Sequence, residues 1–110
     1  MSETITARLS LKCWRGERGT YHLVILAGEQ ARLLGERALL DRLEFGRRRG
    51  FGSIKVTARI GATIWRTSVF PQRGGEAGAS QVDYVLLVGR KVMRAEGLAS
   101  GDRIELELCF

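Results

Sequence analysis

The sequence predicts a mainly β domain, a small six-stranded, mostly antiparallel barrel with one or two short helices. Three observations predict it. Several short runs alternate apolar and polar residues with the two-residue period of a half-buried strand. Glycines fall between those runs rather than in low-complexity tracts, as turns require. Only two stretches switch to the period of a helix, too few for a doubly wound sheet. A chain of 110 residues, 45% of them apolar, suits one domain over residues 4–110 with its own core.

The elements follow in order. Ile5, Ala7, Leu9, Leu11 and Cys13 share one face of a first strand, and Thr6, Arg8, Ser10 and Lys12 share the other. Gly16-Glu17-Arg18-Gly19 turns the chain into a second strand over 21–27, apolar on both faces and therefore central. From Glu29 the spacing of Ala31, Leu34, Ala38, Leu39, Leu40 and Leu43 predicts a helix over about 29–45. Gly35 could divide it into two short helices. A basic, glycine-bracketed loop, Arg47-Arg48-Arg49-Gly50-Phe51-Gly52, follows. Residues 53–60 and 63–70 alternate again around Gly61-Ala62, a two-residue hairpin turn of type II′. Pro71 ends that strand, and 72–80 reads as a polar loop. A strand over 82–88, a short helix over about 90–96 stopped by Gly97, and a strand from Arg103 to Phe110 complete the chain. Pairing the first strand with the last would remove exposed edges.

Charge and motifs bound the function. Net charge is +6, and fifteen of the eighteen cations are arginine. Arginine suits bidentate contact with carboxylate or phosphate, so an anionic small molecule or nucleic acid is the expected partner class. The same excess also follows from a GC-rich genome. The start lacks a signal peptide, and no apolar run is long enough to span a membrane, which predicts a cytoplasmic domain without membrane contact. Cys13 and Cys109, in no CxxC pattern, read as reduced packing residues whose side chains point apart. His22 is the one histidine and lies within an apolar strand. No cluster at ligand spacing predicts a metal, and no GxSxG accompanies a triad of His22 with Asp41, Asp83 or Asp102. Gly50-Phe51-Gly52 matches no phosphate loop. Neither a catalytic residue nor a cofactor is predicted, and the domain reads as non-enzymatic.

The 53–70 hairpin carries the candidate site. With Gly61-Ala62 as the whole loop, Ile60 faces Thr63, and the pairs run Arg59/Ile64, Ala58/Trp65, Thr57/Arg66, Val56/Thr67 and Lys55/Ser68. Ile54, Val56, Ala58, Ile60, Trp65 and Val69 then form the apolar face. Lys55, Arg59, Arg66 and Ser68, with Thr57, occupy the other, where they could hold an anion, joined by Arg49 from the preceding loop. A solvated face, or an Arg66 held by a nearby acid, is the alternative.

Residues Arg48-Arg49-Gly50-Phe51-Gly52-Ser53, Thr63-Ile64-Trp65-Arg66-Thr67-Ser68-Val69-Phe70-Pro71, Ala95-Glu96-Gly97-Leu98 and Gly101-Asp102-Arg103-Ile104 make the chain resemble a family, the uncharacterised bacterial domain of unknown function 1905. The resemblance runs from about Thr4 to Phe110. It implies a double-split β-barrel, the architecture class that also holds dimeric transition-state regulators and antitoxin DNA-binding domains, and it implies no established activity. The stretch 74–80 is longer than the turn usual there. The leading expectation is a binding or accessory domain recognising an anionic partner through the basic sheet face. The alternatives are a DNA-binding regulator of the antitoxin kind and an enzyme acting on a small anionic metabolite. A continuous basic stripe on a symmetric dimer would favour DNA, and a deep pocket near Arg66 a small ligand.

Overall fold

A computed structural model describes residues 3–45, 53–75 and 78–110. The elements are β1 (Thr4–Ser10), β2 (Lys12–Gly16), β3 (Gly19–Leu26), α1 (Gly28–Phe45), β4 (Ile54–Ile60), β5 (Thr63–Gly75), β6 (Gly78–Val88), α2 (Arg90–Ala95) and β7 (Arg103–Cys109). All seven strands belong to one sheet in the order β1-β7-β4-β5-β6-β3-β2, and every neighbouring pair is antiparallel.

The mainly β class holds, with seven strands in place of six. The predicted first strand is two strands, because the chain changes partners at Leu11. Before it, β1 pairs with β7, Thr4 opposite Cys109 through Ser10 opposite Arg103. After it, β2 pairs with β3 at the far end of the sheet. Leu11 itself donates its N–H to the Asp102 carbonyl at 2.8 Å, and its carbonyl accepts the Gly101 N–H at 2.8 Å. The two outermost strands are thus consecutive pieces of one extended run. The sheet must therefore curl until its two ends meet at Leu11, which gives it a barrel-like form.

The core lies inside the curl. Ile5 of β1, Val24 and Leu26 of β3, Leu86 and Val88 of β6, and Ile104, Leu106 and Leu108 of β7 are buried there. From the predicted hairpin, Ile54, Val56, Ala58, Ile60 and Val69 join them, with Trp65 packed against the cluster. α1 is one continuous helix through Gly35. It packs against β6 and β4 and buries Ala31 and Leu34. On its exposed side Arg32 bonds both Glu29, at 2.9 Å from its Nε, and Glu36 one turn on. The hydrogen bond from Arg32 holds the Glu29 carboxyl below its ordinary pKa. α2 ends on Gly97, whose φ of +61° lets its N–H reach the Arg94 carbonyl while Leu98 N–H reaches that of Met93.

Two local predictions are overturned. Pro71 does not end β5, which runs on to Gly75. β4 stops opposite Val69, so at Pro71 the strand has β6 on one flank and, among the described residues, no strand on the other. A missing N–H is tolerated on such a flank. Within the expected loop over 72–80, the described residues 72–75 and 78–80 are likewise strand, as β5 and β6 continue pairing to Gly75 opposite Gly78 with a bulge between Arg73 and Gly75.

Candidate functional site

The β4–β5 register is the one the turn predicts: Ile60 opposite Thr63, Thr57 opposite Arg66, Lys55 opposite Ser68. Gly61 has φ +58°, and no described residue other than glycine has positive φ, so Ala62 does not. That is the signature of a type II′ turn. The pleat then sends Lys55, Thr57, Arg66 and Ser68 outward together, away from the core.

These four side chains line one open groove of about 420 Å³, together with Val56, Thr67, Cys109 and Phe110. The groove exists because a neighbouring strand ends. β7 reaches only to Cys109, opposite Thr57, whereas β4 extends to Ile54. Arg66 and Lys55 are exposed, and among the described residues neither forms an ion pair.

Arg59 shares their face but not their groove. β7 lies beside it, and the register places Glu107 directly opposite. Its Nη2 meets Glu107 Oε2 at 3.2 Å. Arg8 of β1 meets Glu105 of β7 in the same way at 3.5 Å. Among the described residues, Arg8 and Arg59 are therefore matched by acids on β7, while Lys55 and Arg66, like Arg103 opposite Ser10, are not. Arg49 and the basic loop around it lie outside the described residues.

Among the described residues the groove lining holds no side-chain carboxylate and no imidazole. Its titratable side chains among the described residues are Lys55, Arg66 and Cys109, and the two cations attract negative charge. His22 is half-buried opposite Cys13. No group of three or more His, Cys, Asp or Glu able to hold a metal occurs among the described residues. None of their helices is long and apolar enough to cross a membrane. Asp83 is fully buried, a position that local alternation does not signal.

Cys13 departs from expectation. It keeps the core-side parity of its strand, paired to His22, but the β2–β3 hairpin projects past the core there and leaves it exposed. Cys109 is half-buried, its Sγ 3.6 Å from Thr4 Oγ1. Iodoacetamide on the native protein should alkylate Cys13 first and Cys109 more slowly. Equal rates on peptide mapping would contradict this geometry.

The sequence reading also missed the outward face of β2 and β3. Trp14 stacks on Tyr21, centroids 5.6 Å apart, and its ring crosses Gly16, where a Cβ would come within 2.9 Å. The available signal was parity, since Trp14 follows Thr6, Arg8, Ser10 and Lys12 on the polar side of the alternation.

No protein of curated function matches the chain. A family model does, over residues 9–108, nearly the full length and spanning the motifs at 63–71 and 101–104. With that match, the chain belongs to the family described as Domain of unknown function (DUF1905).

Proposed function

We propose that this domain is a non-enzymatic binding or accessory module that recognises an anionic partner through the outward face of β4 and β5. Lys55 and Arg66 supply the charge, and Ser68 and Thr57 supply hydroxyl donors. The observation that carries the reading is the contrast in charge matching: Arg8 and Arg59 have acids opposite them, while the two cations of the groove have none among the described residues. Two like charges on adjacent strands repel, and an oxyanion between them removes that repulsion while accepting charge-assisted hydrogen bonds. Among the described residues the lining has no side-chain carboxylate or imidazole, which favours binding over acid–base chemistry.

Titration with inorganic phosphate and with citrate, followed by amide NMR shifts, tests the proposal. Shifts should concentrate on residues 55–57 and 66–68. Arg66→Ala should weaken binding at least tenfold and cost about 0.5 kcal/mol of stability or less, as exposed substitutions do. Arg18→Ala, on the distant hairpin tip, should change neither. A large loss of stability in Arg66→Ala with unchanged anion affinity would overturn the proposal. Should the partner be nucleic acid, two uncompensated cations would give a slope of log affinity on log salt of only about −2. A much steeper slope on a DNA duplex would mean that many further cations take part, in favour of the DNA-binding reading.

A further inference from the structure

We infer that the groove is one edge of a larger docking surface, and that its occupant is an acidic amphipathic segment of a partner protein. This rests on the anion reading of Lys55 and Arg66 and extends it to the partner's class. The sheet register lays out the surface. On β6, Leu87 lies opposite Leu23 of β3, and Val85 lies opposite Ile25. On β5, Phe70 lies opposite Val85, and one step beyond the last ladder pair Ser68 comes opposite Leu87. Ser68 is itself opposite Lys55. One row therefore runs Lys55, Ser68, Leu87, Leu23 across four strands, from cation through hydroxyl to aliphatic. The row beside it carries Phe70, Val85 and Ile25.

All of these side chains point away from the core, yet the middle of the patch is aliphatic. Leu87 is 43% exposed and Phe70 44% exposed, while Leu23, Ile25 and Val85 are half-buried. α1 and α2 bury Ala31, Leu34 and Val92 in the core cluster on the opposite face of the sheet. Apolar side chains gathered on an outward sheet face mark an interaction site.

Charge selects among occupants. A second copy would bring a surface that offers the same two cations and, among the described residues of this groove, no exposed acid for Lys55 and Arg66, on a chain of net charge +6. Asp83, on the same face of β6 two residues from Val85, is fully buried, and Glu105 and Glu107 of β7 are engaged by Arg8 and Arg59. A polyanion would need many phosphate contacts along its length, whereas the two groove cations lie together at one edge and the floor beside them is leucine, isoleucine, valine and one phenylalanine. An acidic amphipathic segment meets both parts. Its apolar side chains cover Leu87, Phe70 and Leu23, and its carboxylates reach Lys55 and Arg66 at the edge. From Lys55 to Leu23 is three strand spacings of ~4.8 Å, close to the ~10 Å breadth of a helix plus one reaching acidic side chain.

The test is selection of a random 16-residue peptide display library on the intact protein, with anisotropy of a labelled selected peptide as the readout. Selected peptides should be net acidic, with apolar residues at helical spacing. Leu87→Ser and Arg66→Glu should each weaken binding at least tenfold, with melting temperatures within a few degrees of the parent. Leu43→Ser, on the exposed side of α1, should not weaken it. Phe70→Ser repeats the apolar arm if Leu87→Ser lowers the melting temperature. An empty selection, a basic or neutral consensus, or binding indifferent to Leu87→Ser overturns the inference. If Arg66→Glu matters and Leu87→Ser does not, the anion reading stands and the docking surface falls. If neither matters and phosphate titration is also silent, both fall. Sedimentation with phosphatidylglycerol vesicles, or concentration-dependent dimerisation, abolished by Leu87→Ser would assign the face to a lipid surface or a second copy and overturn it too.

Discussion

Leu11→Ala should lower the stability of this domain by about 3 kcal/mol, the middle of the range for truncating a fully buried leucine. Leu11 is 1% exposed and belongs to the core cluster. Its position makes the loss more than a cavity. The residue sits at the seam where the chain leaves β7 for β3, and its backbone bonds to Asp102 and Gly101 tie the seam to the entry of β7. Few other contacts join β1 and β2, which are neighbours only through the chain. Small domains have about 5–15 kcal/mol in total, so a 3 kcal/mol loss is a large fraction. The melting temperature should fall by roughly 15 °C. A neighbouring truncation away from the seam, Leu9→Ala, removes a half-buried side chain and should cost clearly less. Equal losses in the two variants would show that the seam has no special role.

The same seam shows where sequence reading stops. The alternation of Ile5, Ala7, Leu9, Leu11 and Cys13 continues unbroken through the partner switch, because inside and outside keep their parity when a strand bends between neighbours. Side-chain pattern reports faces, and the switch is a matter of backbone partners some ninety residues away, at Gly101 and Asp102. The β4–β5 hairpin was fully legible for the opposite reason. Its turn is two residues long, so local chemistry at Gly61 sets every pair from Ile60–Thr63 to Ile54–Val69. Arg59 marks the limit of that logic. The hairpin alone groups it with Lys55 and Arg66, and only β7 arriving with Glu107 separates them. Pro71 and the glycines after it read as a strand end because a lone strand cannot report that β4 has already stopped on its flank. The two apolar faces of residues 21–27 correctly implied neighbours on both sides of β3. They could not reveal that one face would be left outward as the patch around Leu23 and Leu87.

Gly61→Ala should cost about 2 kcal/mol, read by urea or thermal unfolding, and the cost has two separable sources. The first is conformational: φ of +58° at this position disfavours any residue with a Cβ by roughly 1–2 kcal/mol. The second is a close approach. Glu96, the residue that caps α2, lays its carboxylate over the turn, and a Cβ at position 61 would clash with its Oε1 and fall 2.9 Å from its carboxyl carbon. Glu96 could swing aside, but its other oxygen accepts a hydrogen bond from the Thr63 hydroxyl at 2.6 Å, which holds it in place. Yielding therefore costs that bond, worth about 1 kcal/mol. Glu96→Ala alone should lose only the bond. In the double variant the new methyl has nothing to displace, so the combined loss should be smaller than the sum of the single losses by about 0.5–1 kcal/mol, as expected for residues in contact. Strict additivity would show that the carboxylate gives way freely and that the turn's demand for glycine is conformational alone.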